Sequence, residues 1–182
     1  MLKKSHSQVG FLQFIENIAR CHPLIYLLSR NISKYLKIFE ADAIGLKNIN
    51  FKKKINCIDV GASDGIFINY INKFLGINKV FCFEPNENYI LALKKIKKID
   101  IIINEYGLGL SERKEKIYIP YYKFFNKKFY LDAYSFPTMQ NCEQQIKLDF
   151  IFKKSVFIEE REICISSKIS FDEKIDLIKI DI

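Results

Sequence analysis

The sequence predicts an α/β domain built on a parallel, doubly wound sheet and preceded by a helical N-terminal extension. Strand, helix, strand, helix, strand alternate from Ile55 to Glu105, the first strand runs straight into a glycine-containing turn, and apolar residues recur at helical spacing from Phe11 to Phe39. With 182 residues and 49% apolar composition, the chain can bury one real core and is short for two. Residues 1–50 are expected to form the extension and 51–182 the sheet domain.

In the extension, Phe11, Ile15, Ile18 and Ala19, then Leu24, Leu27, Leu28, Ile32, Leu36 and Phe39, predict two amphipathic helices divided near His22-Pro23. The period then changes. Ile55 to Val60 is a short β-branched apolar run, expected as a buried strand, and Gly61-Ala62-Ser63-Asp64-Gly65 follows as a turn. Ile66 to Leu75 has helical spacing and stops at Gly76, a residue suited to end a helix. Lys79 to Glu84 predicts a second strand, Pro85-Asn86 opens a helix over Glu87 to Lys97, and Asp100 to Glu105 predicts a third strand. Beyond Gly109, strands are expected at Glu115 to Ile119 and Arg161 to Ile165, with an aromatic, lysine-rich stretch of no clear period between them. Asp176 to Asp181 predicts another buried strand with an acid at its carboxyl end.

A net charge of +8 favours anionic partners, although the joint abundance of Lys, Ile and Asn accounts for it more readily as a coding bias. Cys21, Cys57, Cys82, Cys142 and Cys164 form no CxxC pair and read as reduced, core-filling thiols of a cytoplasmic protein. His6 and His22 are separated from all of these except Cys21, so no metal site is expected. The N-terminal apolar segment, broken by Gln13, Glu16 and Asn17, makes a poor signal core, and no run approaches the length of a membrane span.

Ligands of open α/β sheets bind beyond the carboxyl ends of the strands, where the strand order reverses. Three acid- or glycine-bearing features fall at such ends: the turn from Asp59 to Gly65, Glu84, and Asp181. Side chains at Gly61 and Gly65 would block either a positive φ or the close approach of a ligand, and the amides of the turn and of the next helix favour a carboxylate. Glu84 stands 19 residues after Gly65 (84 − 65), where an acid can accept hydrogen bonds from both hydroxyls of a ribose. The turn reads Gly61-x-Ser63-x-Gly65 rather than GxGxxG, and Asp59 would repel a pyrophosphate but suit an amino group or a sulfonium. S-adenosylmethionine therefore fits better than a dinucleotide. At each position taken singly a purely structural role competes: the glycines with the turn itself, and Glu84 with a cap on the following helix.

Ile58 to Gly65, Phe83-Glu84-Pro85-Asn86, Leu108-Gly109-Leu110-Ser111 and Asp176 to Asp181 together resemble, in order and spacing, the motifs of FkbM-type methyltransferases. The resemblance runs from about Asp42 to the last residue. It implies a Rossmann-like class I methyltransferase sheet, S-adenosylmethionine as donor, and O-methylation of a sugar or a related hydroxyl in polysaccharide or natural-product assembly. It further implies that Asp59, Gly61, Ser63 and Gly65 hold the methionine end, that Glu84 holds the ribose, and that the loop at Asn104 and Glu105 approaches the adenine. Asp181 would stand near the transferred methyl, either as the catalytic base or as a structural or cofactor-contacting acid. The family pattern continues past this aspartate, so the sheet is expected to be incomplete, with an uncovered apolar edge inviting association.

Two other classes compete with this reading: an NAD-dependent sugar-modifying oxidoreductase and a noncatalytic basic binding module. Eight aromatics with interspersed lysines between Tyr118 and Tyr134 could stack on a glycan acceptor, and less readily on nucleic acid, or simply cover a core beneath a long loop. The acceptor and the oligomeric state are not set by these residues.

Overall fold

The computed structural model describes residues 25, 28, 45–49, 51–124, 126–132, 135–149 and 156–181. The helices expected between Phe11 and Phe39 lie outside the described residues, apart from Ile25 and Leu28, which are helical. The chain forms two compact units, residues 37–115 with 163–182 and residues 1–36 with 116–162.

The first of these units is an α/β structure with a parallel sheet. Its elements open with a 3₁₀ turn at Gly45–Asn48, followed by β1 (Ile55–Val60), α1 (Ile66–Phe74), β2 (Ile77–Phe83), α2 (Glu87–Leu93), β3 (Asp100–Asn104) and the short β4 (Gly107–Leu108). A later strand, β8 (Leu177–Ile180), pairs with β1, so the sheet order is β3-β2-β1-β8 with every pair parallel. Strand order thus runs outward from β1 through β2 to β3, and β8 returns on the opposite side. The reversal falls at β1.

Each element follows from its local sequence. β1 is buried on both faces, as a central parallel strand must be: Ile55 and Cys57 join one core, Ile58 and Val60 another. On the first face, Ile68 and Ile71 of α1 and Leu93 of α2 pack over Cys57, Val80 and Cys82. On the second, Ile58, Val60, Phe81 and Phe83 are covered by Tyr106, Leu108, Phe171 and Ile175. Gly76, at φ 71°, follows the end of α1, and Asn86 caps α2 by accepting from the Asn88 N–H. On β8, expected as a buried strand, the residues paired with Ile58 and Val60, namely Ile178 and Ile180, are instead more than half exposed, because no described residue covers them on that face.

The other unit contains parts of β5 (Arg113–Phe124) and β7 (Val156–Ser166), together with β6 (Lys127–Tyr130) and α3 (Met139–Asp149). β5 and β6 make an antiparallel hairpin with Tyr121 opposite Tyr130, turning at Asn126, whose φ is 62°. Leu131, Cys142 and Ile146 form its core with Tyr118, Phe136, Val156 and Ile158. Much of the stretch that lacked a readable period is therefore sheet, and α3 was not anticipated. Among the α3 side chains that are described, Cys142 and Ile146 are buried in that core, too few apolar positions to mark a period. Glu159 accepts from Lys128, Tyr130 and Arg161; burial alone would raise its pKa, but these donors pull it down to about 2.

Cys57, Cys82 and Cys142 are buried free thiols, as expected, whereas Cys164 is exposed on β7 and fills no core. Among the described residues no helix is long and apolar enough to cross a membrane, and no group of three or more His, Cys, Asp or Glu is placed to hold a metal ion.

Candidate functional site

The carboxyl ends of β1, β2 and β8 bring together six of the residues singled out in the sequence. Where β1 ends, the Gly61 and Ala62 amides donate to the Phe83 carbonyl at 3.0 and 3.4 Å, turning the chain over the end of β2. Gly61 has a φ of 71°, and a Cβ there would lie 2.1 Å from the backbone oxygen of Asp181. No other residue fits between β1 and β8 at this point. Gly65, at φ 76°, is the N-cap of α1, and its absent Cβ leaves room for Ile96 and Leu93. Ser63, between them, is also left-handed at φ 52°, a conformation that costs a side-chain-bearing residue about 1–2 kcal/mol.

Glu84 offsets that cost. Its carboxylate, in a residue only 4% exposed, accepts the Ser63 N–H on one oxygen and the Asn86 N–H on the other, each at 2.8 Å. The acid thus ties the turn after β1 to the start of α2. The structural role that competed for this residue in the sequence is the one seen here, with one oxygen bonded to the amide of Asn86, the cap of α2.

Asp59 is 1% exposed, and neither carboxylate oxygen has an aligned hydrogen-bond partner among the described residues. Its compensation is ionic: the Lys179 ammonium lies 3.0 Å from Oδ1, close enough to pair although not aligned as a hydrogen bond. Burial pushes the Asp59 carboxyl up to about 6; Lys179 opposes that rise, and the nearby charges of Asp181 and Glu84 add to it. Lys179 also donates to the Gly61 carbonyl at 2.8 Å and stands 3.6 Å from Asp181 Oδ2. The Asp181 side chain is 73% exposed, while its amide donates to the Val60 carbonyl at 3.0 Å. The site therefore presents an exposed acid at its mouth and a buried, cation-paired acid behind it.

Asn104 ends β3; its side-chain amide donates to the Cys82 carbonyl, and its backbone oxygen accepts from the Glu84 amide. Glu105 is half exposed and pairs with Lys94. Tyr106, next in the chain, sets its ring edge-on to Phe83 and donates its hydroxyl hydrogen to the Lys168 carbonyl.

Two features differ from the sequence-based expectation. The amides of Gly61, Ala62, Ser63 and Gly65 all donate within the protein, so an incoming carboxylate would rely on the first turn of α1. Lys179 received no role, yet it touches Asp59, Gly61 and Asp181. A signal existed: a lysine inside one apolar strand and an aspartate inside another are each costly to bury alone and point to a pair.

No curated protein and no solved structure matches the chain. A family model, the methyltransferase FkbM domain, matches residues 59–182, a stretch that opens on the buried acid of β1 and includes the turn, Glu84 and β8. That match spans well over half of the 182 residues, and the chain belongs to the FkbM methyltransferase family.

Proposed function

We propose that the chain carries the donor half of an S-adenosylmethionine-dependent methyltransferase, with the parallel sheet as a Rossmann-like core and a sugar or related hydroxyl as acceptor. The observation that carries this reading is the charge at the strand-order reversal: a carboxylate with an orphaned buried oxygen, Asp59, and an exposed one, Asp181, flank a glycine where no Cβ can fit. A ligand bringing an ammonium and a sulfonium suits such a place, because Asp59, Lys179 and Asp181 together leave one net negative charge, at the exposed Asp181, which the pyrophosphate of NAD would meet as a like charge. The residues present fit the donor.

In this reading Gly61, Ser63 and Gly65 shape the seat of the methionine end, with the first turn of α1 facing its carboxylate and the Asp59–Lys179 pair holding the turn from beneath. Glu84, just past β2, takes the ribose hydroxyls, and the Asn104–Glu105 end of β3 borders the adenine. When bound, S-adenosylmethionine supplies a methyl group on a sulfonium, already activated for displacement. The protein's own residues have to orient an acceptor oxygen and take its proton. Asp181, at the mouth, is the acid placed to accept a hydrogen bond from that hydroxyl and hold the proton. The buried free thiols Cys57, Cys82 and Cys142 accord with a reducing, cytoplasmic setting.

Isothermal titration of the purified chain with S-adenosylhomocysteine, with NADH as control, tests the reading without requiring the acceptor. Saturable binding of the homocysteine compound and none of NADH is expected. Binding of NADH alone would transfer the site to oxidoreductase chemistry. Folded protein that binds neither refutes a donor site.

A further inference from the structure

The proposed roles name Lys179 only beside Asp59, yet it meets three of the site's residues at the strand ends. Parallel register sets Lys179 directly opposite Asp59, on the sheet face that α1 covers, and its ammonium lies 5.6 Å from the centre of the Phe67 ring. The ammonium meets three oxygens from three segments: the Gly61 carbonyl at 2.8 Å, Asp59 Oδ1 at 3.0 Å and Asp181 Oδ2 at 3.6 Å. One N–H is donated to the Gly61 carbonyl, and the two carboxylates pair with the ammonium through charge. The Gly61 peptide is thereby held on both sides, its N–H by the Phe83 carbonyl and its C=O by Lys179. Two residues on, Glu84 holds the Ser63 amide. The turn is gripped by a carboxylate from β2 and an ammonium from β8.

Packing alone does not ask for a lysine here. A methionine would cover the Phe67 ring with a similar stem and carry no charge into a three-quarters-buried position, where a charge is expensive unless paired. The charge is matched instead to the geometry of the turn and of the two aspartates.

We propose that Lys179 is the positioning residue of the methyl-donor site: it fixes the Gly61 carbonyl, neutralises Asp59 behind the turn and steadies Asp181 at the mouth, without itself touching the donor. This rests on the donor-site reading above. Asp59 then acts on the ligand only through a turn that Lys179 keeps in shape. Lys179 without Asp59 is tolerable, because the ammonium keeps the Gly61 carbonyl and Asp181. Asp59 without Lys179 is not, because a buried charge loses its counter-ion.

The experiment is titration of S-adenosylhomocysteine into the wild-type chain and into Lys179→Met, Lys179→Arg, Asp59→Asn and the Lys179→Met/Asp59→Asn double variant, each first shown to be folded by circular dichroism. Lys179→Met should weaken binding about 30-fold, Asp59→Asn by less than that, Lys179→Arg less than about 5-fold, and the double variant should bind about 10-fold better than Lys179→Met. The Lys179→Met defect should also be larger at pH 8 than at pH 6, because protonating Asp59 removes the unpaired charge. Wild-type-like binding by Lys179→Met, or a double variant as weak as the single one at every pH, overturns the inference. Should Lys179→Met not fold, the double variant decides: binding within about 10-fold of wild type supports the role, and loss of binding overturns it. Failure of the wild type to bind removes the donor reading and this inference with it, whereas wild-type binding without rescue removes the inference alone.

Discussion

Replacing Glu84 by Gln separates the clasp seen in the structure from the ribose contact suggested by the motif. The carboxylate is 4% exposed and accepts two backbone N–H groups at 2.8 Å, one from the left-handed Ser63 and one from the Asn86 cap. Charge-assisted hydrogen bonds of this kind contribute roughly 1.5–3 kcal/mol each. Glutamine keeps one oxygen, so one bond survives at neutral strength, while the other N–H faces an amide NH₂. The expected loss is one charged bond plus about half of the second, or about 3 kcal/mol in unfolding free energy. Urea unfolding followed by far-ultraviolet circular dichroism measures it, and the chain contains no tryptophan to serve instead. A stability change under about 1 kcal/mol, beyond the reach of any clasp of this strength, would refute the reasoning. In that case a 10-fold or greater loss of S-adenosylhomocysteine affinity in the same variant would assign the carboxylate to the ligand alone.

Gly61→Ala should destabilise the chain by about 3 kcal/mol or more, because its Cβ would sit 2.1 Å from a backbone oxygen at positive φ, whereas Gly65→Ala meets a movable Ile96 methyl at 2.5 Å and should cost about 1–2 kcal/mol; equal or reversed losses in urea unfolding contradict the packing described. Asp59, raised from 3.8 to about 6 in the folded chain, binds a proton more tightly there than when unfolded. Its contribution to stability therefore falls as pH rises from about 4 to about 6, by about 3 kcal/mol in total. Relative to the wild type, Asp59→Asn should gain stability across that window, and parallel pH profiles of the two proteins would show that the carboxyl is not so perturbed.

The core of the sheet was legible because its period is local. Ile55 to Val60, Ile77 to Phe83 and Asp100 to Asn104 are apolar runs bounded by glycine, proline and asparagine, and intervening apolar residues at helical spacing leave one pairing pattern. Boundaries drifted where propensity is flat: the second helix ends at Leu93, short of the expected Lys97, and the second strand begins earlier, at Ile77. The hairpin of β5 and β6 was opaque because aromatics and lysines alternate irregularly and its pairing is set across strands. Tyr121 lies opposite Tyr130 with Lys128 over its ring, and that contact has no counterpart in local spacing.

By itself the sequence determined which residues reach the carboxyl ends of the strands, because strand ends and turn glycines are written in consecutive residues. Asp59, Gly61, Glu84 and Asp181 could all be named from that pattern. Tertiary structure alone decided how they act on one another. The side-by-side placement of β1 and β8 puts Lys179 between Asp59, Gly61 and Asp181, 118 residues along the chain from Gly61, and burial raises the pKa of Asp59 from that of an ordinary acid to about 6. Charge and desolvation depend on distance in space, and separation along a chain carries no record of either until the sheet closes that distance.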